Sequence, residues 1–425
     1  KEVFSTFLNQ GDILIDFADT VGTRDLCQWC SENNIMYLNT GEADWPENWY
    51  SIFNENLLKK ELRKKYENDP RYNQYPIVLQ HGNNPGLVSH FVQAGIEYIV
   101  RTQYKKDKHL KQLLKENKLN EIARILKIRM IHVNDIDLQK VKEEYNENKL
   151  VSTWCCDSFF FELLSEATQN IGTHERLKEK DQYRMLDLER GFLEYTKLAC
   201  DMKCRTYYPN GTFEGYLVPH EETITIADHL SIVEDGKTVY RPSVMFVYSP
   251  CDLAKEYLEK SKVNDYPNPD PKKPQDVENE IGNSIVRGHI YPNDSEIVYQ
   301  EKIEEGTEYV GVLLIGENFD PVWVGNRIEL SYLYRHKKDS YWQTPTITPV
   351  AMSALAALCW MLKHQHQGGI YFPDDILDYH YILKIAEKYI SKTIYKTFDK
   401  KLLADKLEID FSDIQSKDFF AKEKE

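Results

Sequence analysis

The chain has 425 residues, 41% apolar and 28% charged, with a net charge of −15. That length predicts two or three domains with cores of their own, and the composition is that of a soluble globular protein. The acid excess excludes the basic footprint that nucleic acid requires, and no apolar run approaches ~18 residues, which excludes a membrane-spanning helix.

Lys1-Glu2-Val3-Phe4-Ser5 has no apolar signal core, so export is not expected. Eight cysteines in this length do not make a disulfide framework. Cys27-x-x-Cys30 has redox spacing, but no second pair completes a zinc site, and Leu26 and Trp29 mark a packed helix face. No metal is expected, and the expected compartment is the reducing cytoplasm.

In chain order, residues 11–20 open with Ile13-Leu14-Ile15 and end polar, the pattern of a parallel strand running into a loop. Residues 23–30 read as a helix, 35–40 as a second strand ending at Gly41-Glu42, and 53–66 as a charged helix. Ile77-Val78-Leu79 is a third strand, followed by the turn His81-Gly82-Asn83. Asn84-Pro85 reads as the N-cap and first position of a helix with Leu87, Val88, Phe91, Val92 and Ile99 at helical spacing. Strand–helix alternation predicts a parallel sheet. Its strand ends carry Asp19, Glu42 and Asn84, at the edge where open α/β sheets bind ligands. No Gly-x-Gly-x-x-Gly occurs, so the chain is expected to begin part-way through a Rossmann-type domain whose N-terminal part is missing.

Residues 104–128 form a basic helical segment, read as a solvated face. Met130 to Val133 is a strand, followed by Asn134-Asp135-Ile136-Asp137. Residues 150–157 read as a strand holding Trp154 and Cys155-Cys156, with Phe159-Phe160-Phe161-Glu162 after it. Residues 204–208 and 213–219 pair across Pro209-Asn210-Gly211, a hairpin signal, and His220-Glu221-Glu222 follows. Residues 243–248, 309–316 and 321–325 are further strands, and 260–283 a surface excursion. Residues 350–362 form a buried helix and 378–393 another. The expectation is an α/β fold: residues 1–100 are the remainder of the Rossmann-type domain, 101–345 an α+β domain on a large mixed sheet, and 346–425 C-terminal helices packing back on the first domain.

Several segments resemble the bacterial homospermidine synthases, members of the saccharopine dehydrogenase-like group. They are His81-Gly82-Asn83-Asn84-Pro85-Gly86-Leu87-Val88-Ser89-His90, Ser152-Thr153-Trp154, Gly172-Thr173-His174-Glu175, Gly215-Tyr216-Leu217-Val218-Pro219-His220, Ile224-Thr225-Ile226-Ala227-Asp228, Tyr240-Arg241-Pro242, Tyr248-Ser249-Pro250-Cys251-Asp252 and Gly311-Val312-Leu313-Leu314. They occur in family order over most of the chain. The chain departs from the family in lacking the glycine-rich NAD turn, and in carrying Asp135 where the family suggests a glutamate.

The resemblance implies NAD-dependent aminobutyl transfer. One putrescine amine is oxidised to an imine, a second diamine displaces ammonia (or diaminopropane, from spermidine), and the new imine is reduced. It implies catalytic roles for Glu42, Asn84, Glu162 and His220, and diamine contacts from Asp19, Asp135 and Trp154. NAD would lie against Asp16, Thr20, Thr40, Asn84 and Pro85. A cytoplasmic homodimer is also implied. The residue types agree: a flexible dication needs carboxylates at fixed positions and an aromatic face, and a histidine at a strand end suits proton transfer near neutral pH. Two other readings stay open. One is a related imine-forming saccharopine or carboxynorspermidine dehydrogenase-like oxidoreductase, whose carboxylate substrates require Arg or Lys in the pocket. The other is a polyamine-binding protein without catalysis.

Overall fold

The structure, a computed structural model, describes residues 2–18, 21–41, 64, 74–178, 183–263, 277–278, 284–333 and 343–422. The principal strands in chain order are β1 (Ile13–Asp16), β2 (Met36–Asn39), β3 (Pro76–Val78), β4 (Ile128–Asp137), β5 (Lys149–Ser152), β6 (Glu166–Asn170), β7 (Tyr183–Asp187), β8 (Phe192–Leu198), β9 (Lys203–Tyr208), β10 (Gly211–Leu217), β11 (Ser243–Ser249), β12 (Thr307–Gly316), β13 (Val322–Glu329), β14 (Gly369–Tyr371) and β15 (Ile394–Thr397). The helices used below are α1 (Thr23–Asn33), α2 (Leu87–Gln103), α3 (Cys156–Leu163), α4 (Glu222–His229), α5 (Ile347–Lys363) and α6 (Tyr379–Ala386).

Two sheets organise these elements. The first has the order β1-β2-β3-β14, and every pair in it is parallel. The second is mixed, in the order β15-β13-β12-β4-β11-β6-β8-β7, with the β9–β10 hairpin joined through β10 to β11. The parallel β4–β11 pair lies at its centre. The final segment joins both sheets, β14 extending the first beside β3 and β15 the second beside β13.

Side-chain alternation divides the mixed sheet's environment. Ile131, Val133, Phe246, Tyr248, Val310 and Val312 face the core that includes α2. Met130, Ile136, Met245, Val247, Tyr309 and Leu313 face the opposite core, closed by Leu403, Ile414 and Phe419 near the end of the chain. Helix α2 lies close on the first face because Gly95 has no Cβ: one would stand 2.5 Å from Leu314 Cδ1 and 3.2 Å from Val324 Cγ2.

Several boundaries differ from the sequence reading. The helix expected at Asn84 begins at Leu87. Before it, Gly82 N donates to Pro85 O at 2.7 Å and Leu87 N to Gly82 O at 3.0 Å, so the loop closes on itself first. Its corner is Gly86, at φ +138, where a Cβ would meet Gly82 O at 1.8 Å. Cys155 and Cys156 are not in a strand. β5 stops at Ser152, and the Cys155 carbonyl accepts the Phe159 N–H at 2.9 Å as α3 begins. Residues 104–128 break into two helices, Lys108–Lys115 and Leu119–Leu126, separated by a turn in which Asn117 has positive φ. The helix expected over 378–393 ends at Ala386. The charged helix expected over 53–66 lies outside the described residues apart from residue 64, as does most of the excursion at 260–283. No helix among the described residues is long and apolar enough to cross a membrane.

Gly86→Ala combines a forbidden φ with a backbone collision. It should destabilise the fold by ~2 kcal/mol or more, read as a lower urea midpoint; an unchanged midpoint contradicts this account of the loop.

Candidate active site

Three parts of the chain meet at one end of the mixed sheet. Asp135 and Asp137 are two apart on β4, so they share a face. Register places Tyr248 of β11 opposite Asp135, and Glu308 of β12 opposite Asp137. Helix α3 supplies Glu162, and the turn between β10 and α4 supplies His220, Glu221 and Glu222. From the first sheet, the loop after β3 supplies Asn84, whose Nδ2 donates to Asp135 Oδ2 at 2.6 Å. That bond ties the ligand edge of the parallel sheet to the carboxyl end of β4.

The cluster is acidic and dry. Asp135, Asp137, Glu162, Glu222 and Glu308 are each 7% exposed or less. Asp137 is fully partnered: Thr153 Oγ1 donates to its Oδ2 at 2.6 Å, and Gln139 N and Nε2 donate to its Oδ1 at 2.9 and 3.0 Å. By contrast, Asp135 Oδ1, Glu222 Oε1 and Glu308 Oε2 are buried with no hydrogen-bond partner. Carboxylate oxygens accept only, so each requires a donor brought by a proton or a ligand.

Burial dominates the titration of these groups. It raises Asp135 to about 7, against the lowering effect of the Asn84 bond. Burial likewise raises Glu162 to about 8, with His220 the main opposing charge. Glu308 is raised well above the ordinary carboxylate range, by burial first and then by Asp135 and Asp137. Glu308 therefore favours its protonated form beside Asp135.

His220 differs from its sequence reading. It stacks on Phe246 with ring centroids 4.1 Å apart and planes 12° from parallel. Its Nδ1 lies 3.0 Å from Glu221 Oε2 and donates to Glu222 Oε2. Burial opposes its charge, but the two glutamates outweigh burial and hold its pKa well above 6.5. The two glutamates thus favour the charged imidazole. The ligand atoms of His220, Glu221 and Glu222 lie within 4.8 Å of one another, but a protonated imidazole is a poor metal ligand, and the trio is read as an ion-paired group.

Trp154 sits in the turn between β5 and α3. Its Nε1 donates to Tyr248 Oη at 2.9 Å, and its ring meets Phe159 and Tyr248 edge-on at 6.4 Å. Burial raises the pKa of Tyr248, and the charges of Asp135 and Asp137 beside it add to the rise. The indole thus forms an aromatic wall next to the carboxylates. Glu162 reaches the cluster from a helix rather than the expected strand–loop connection; its charged neighbours are His220, Glu221, Asp135 and Glu222.

At the parallel sheet, Asp16 ends β1 and is committed internally: Tyr37 Oη donates to its Oδ2 at 2.7 Å and Ala18 N to its Oδ1 at 2.9 Å. Thr40 follows β2, and its carbonyl lies 3.0 Å from where a Gly82 Cβ would stand. Among the described residues nothing lies within 4 Å of a Cβ placed on Gly41, so the floor between the ends of β2 and β3 is backbone at Gly41 and Gly82. Thr40, Asn84 and Pro85 border that floor, and Asp16 ends the neighbouring strand β1 with one hydrogen bond to each oxygen. Asp19, Thr20 and Glu42 lie outside the described residues.

The structure thus brings Asn84, Asp135, Trp154, Glu162 and His220 to one place. Sequence reasoning did not nominate Asp137, Glu222, Glu308 or Tyr248. The Asp-x-Asp alternation on a strand and the acid pair after His220 were signals for two of these. Glu308 becomes visible only through strand register.

The fold and site define an α/β protein that buries an acidic, aromatic-walled cluster against the strand ends of a Rossmann-type parallel sheet. In sequence the chain is similar to homospermidine synthases along most of its length. It is 23% identical over 410 residues to that of Mesorhizobium japonicum, covering 92% of this chain and 76% of the relative. With that of Blastochloris viridis it shares 26% identity over 393 residues, 89% of this chain and 74% of the relative. In structure it matches the crystal structure of a homospermidine synthase from Legionella pneumophila in complex with NAD, with TM-score 0.80 and 24% identity, over 100% of this chain and 85% of that one. No protein-family model matches the chain.

The raised carboxyl pKa values carry a stability consequence. Groups neutral in the folded state and ionised when unfolded cost stability as pH rises from about 4.5 toward their folded values. Glu308→Gln removes one such cost. It should stabilise the unliganded protein by ~1–2 kcal/mol at pH 8 and by little at pH 5. Thermal melts at both pH values check this; equal changes at the two would contradict a protonated Glu308.

Proposed function

We propose that this protein is an NAD-dependent homospermidine synthase that joins two putrescines, with release of ammonia, and works as a cytoplasmic homodimer. The observation that carries the reading is the cluster of buried carboxyls with partnerless oxygens. The cations among the leading influences on these carboxyls are His220, on Asp135, Glu162 and Glu222, and Lys255, on Asp137. An enzyme for an amino-acid substrate would require Arg or Lys to face the substrate carboxylate, whereas this site offers acceptors for ammonium groups.

Putrescine enters as a dication. Asp135 and Glu308 take one ammonium, whose N–H groups supply the donors that their buried oxygens lack. Proton release from Glu308 on binding leaves the pair anionic against a cation. Trp154 presents its face to the chain or to the second ammonium, a contact of ~0.5–2 kcal/mol. The reacting amine must be neutral before the adjacent C–H bond can break. Glu162, raised to about 8, is protonated before the diamine binds; once the diamine's charge has displaced that proton, its carboxylate accepts the reacting amine's proton and returns it to the nitrogen that departs as ammonia. His220, held protonated, offsets the Glu221 and Glu222 charges that would otherwise raise Glu162 further. Asn84 fixes Asp135 relative to the strand ends of the parallel sheet. NAD, bound along those ends, supplies the hydride acceptor for oxidation and the donor for the final reduction. The protein's share is to orient the diamine, exclude water and move protons.

Incubation with putrescine and NAD, followed by mass analysis, should give homospermidine and ammonia without net NADH. Accumulating NADH would indicate a plain amine dehydrogenase, and binding without turnover a polyamine carrier. Trp154→Ala should lower kcat/KM for putrescine about tenfold or more while leaving the melting temperature nearly unchanged. Glu162→Gln should abolish turnover in a folded protein; unaltered kinetics in either variant removes that residue from the site.

A further inference from the structure

The mixed sheet carries a second cavity, on the face opposite the carboxyl cluster. It has a volume of about 330 Å³ and lies between β6, β8, the start of β9 and the chain near its end. That size lies within the ~300–1,000 Å³ range of small-molecule sites.

Its floor is Gln169, which is fully buried. Alternation along β6 puts Gln169 on the same face as Ala167, which belongs to the second core with Leu193 and Tyr195 of β8. Both its amide nitrogen and its amide oxygen lack hydrogen-bond partners. A buried amide with neither bond made costs more than one left in water, and Gln169 is one of the residues that line the cavity. The other buried polar groups at the wall are satisfied. Glu175 accepts from Ser243 Oγ and from Ser416 N and Oγ, and Gln415 donates to the His174 and Ile414 carbonyls and accepts from Arg176 N.

The remaining walls are aromatic and apolar. Tyr195 and Phe420 meet edge to face with centroids 5.6 Å apart, beside Leu177 and Met202. The rim is basic: Arg176, Lys197, Lys203 and Lys417 against Asp201, in a protein of net charge −15. Arg176 and Lys203 pair with Asp413 and Glu259, but these pairs are exposed, with side-chain exposures of 67% and 51%, and 43% and 61%. Exposed pairs of that kind contribute little and can be exchanged for a ligand anion.

We propose that this cavity is a second ligand site, taking a small anion whose inserted end is a planar edge with a hydrogen-bond donor next to an acceptor, the chemistry of a nucleoside monophosphate. The base edge would pair with both atoms of the Gln169 amide, as glutamine amides pair with adenine edges. The ring would lie against Tyr195 and Phe420, and the phosphate would sit at the lysine rim. The site is separate from the carboxyl cluster, so occupancy does not compete with a diamine.

The test is calorimetric titration of the full chain with uridine monophosphate and adenosine monophosphate, with inorganic phosphate run in parallel. At least one nucleotide should bind in the sub-millimolar range, and phosphate far more weakly. Gln169→Leu should weaken nucleotide binding roughly tenfold or more, because both bonds to the base edge are lost. Gln169→Glu, which keeps an acceptor but loses the donor, should also weaken it. Turnover of putrescine should be unchanged in both variants, which also reports that they are folded. No heat from either nucleotide at millimolar concentration, equal binding by phosphate alone, or undiminished binding in Gln169→Leu would overturn the proposal and leave a cavity filled by water.

Discussion

A carboxylate removed from water must find a proton, a cation or a full set of donors, and most of this site follows from that requirement. Asp137 meets it with Thr153 and Gln139. Glu222 meets it in part through His220. Asp135 and Glu308 meet it poorly: Asn84 bonds Asp135 and Thr346 bonds Glu308, but one oxygen of each carboxyl stays without a donor. A buried ion left unpaired costs ~3–5 kcal/mol, so a fold selected only for stability would place apolar side chains here. Five acids in one buried region, three of them with an oxygen that lacks a donor, are the feature on which the proposed diamine site rests.

The same requirement explains how the two sheets are joined. The parallel sheet ends in a short loop whose backbone closes on itself through Gly82 and Gly86, and this points Asn84 at Asp135. The mixed sheet presents its acids at the carboxyl end of β4, flanked by Tyr248 and Glu308 through register. The final segment then contributes a strand to each sheet. A junction of this kind holds Asp135 at a fixed position relative to the strand ends of the parallel sheet, which the proposed hydride transfer between amine carbon and cofactor would use.

Much of this was legible in the chain itself. Short apolar runs at Ile13, Met36 and Ile77 marked the parallel strands, and Asn210-Gly211 marked the β9–β10 hairpin, because these signals are local. Helix starts were less legible. Asn84-Pro85 has the residue types of a cap, but Gly86 can adopt a conformation closed to other residues, and it sets the actual corner. Cys155-Cys156 looked like strand because apolar residues in short runs do not distinguish a strand from the first turn of a buried helix. In the site, Asn84, Asp135, Trp154, Glu162 and His220 were nominated through the family resemblance. Glu308 was not, because its proximity to Asp135 depends on an antiparallel register between strands some 170 residues apart, which no local pattern encodes. The charge state of His220 was also hidden, since it depends on two neighbouring glutamates overcoming burial.

The central claim is that the buried carboxyls accept the diamine's ammonium groups by giving up protons. Calorimetric titration of putrescine at pH 7, in buffers of different ionisation enthalpy, counts those protons directly. The account predicts net proton release at pH 7, diminishing toward pH 9 as Asp135 and Glu162 become ionised before binding. Binding with no proton release at any pH, or binding that strengthens as the solution is acidified, would contradict it.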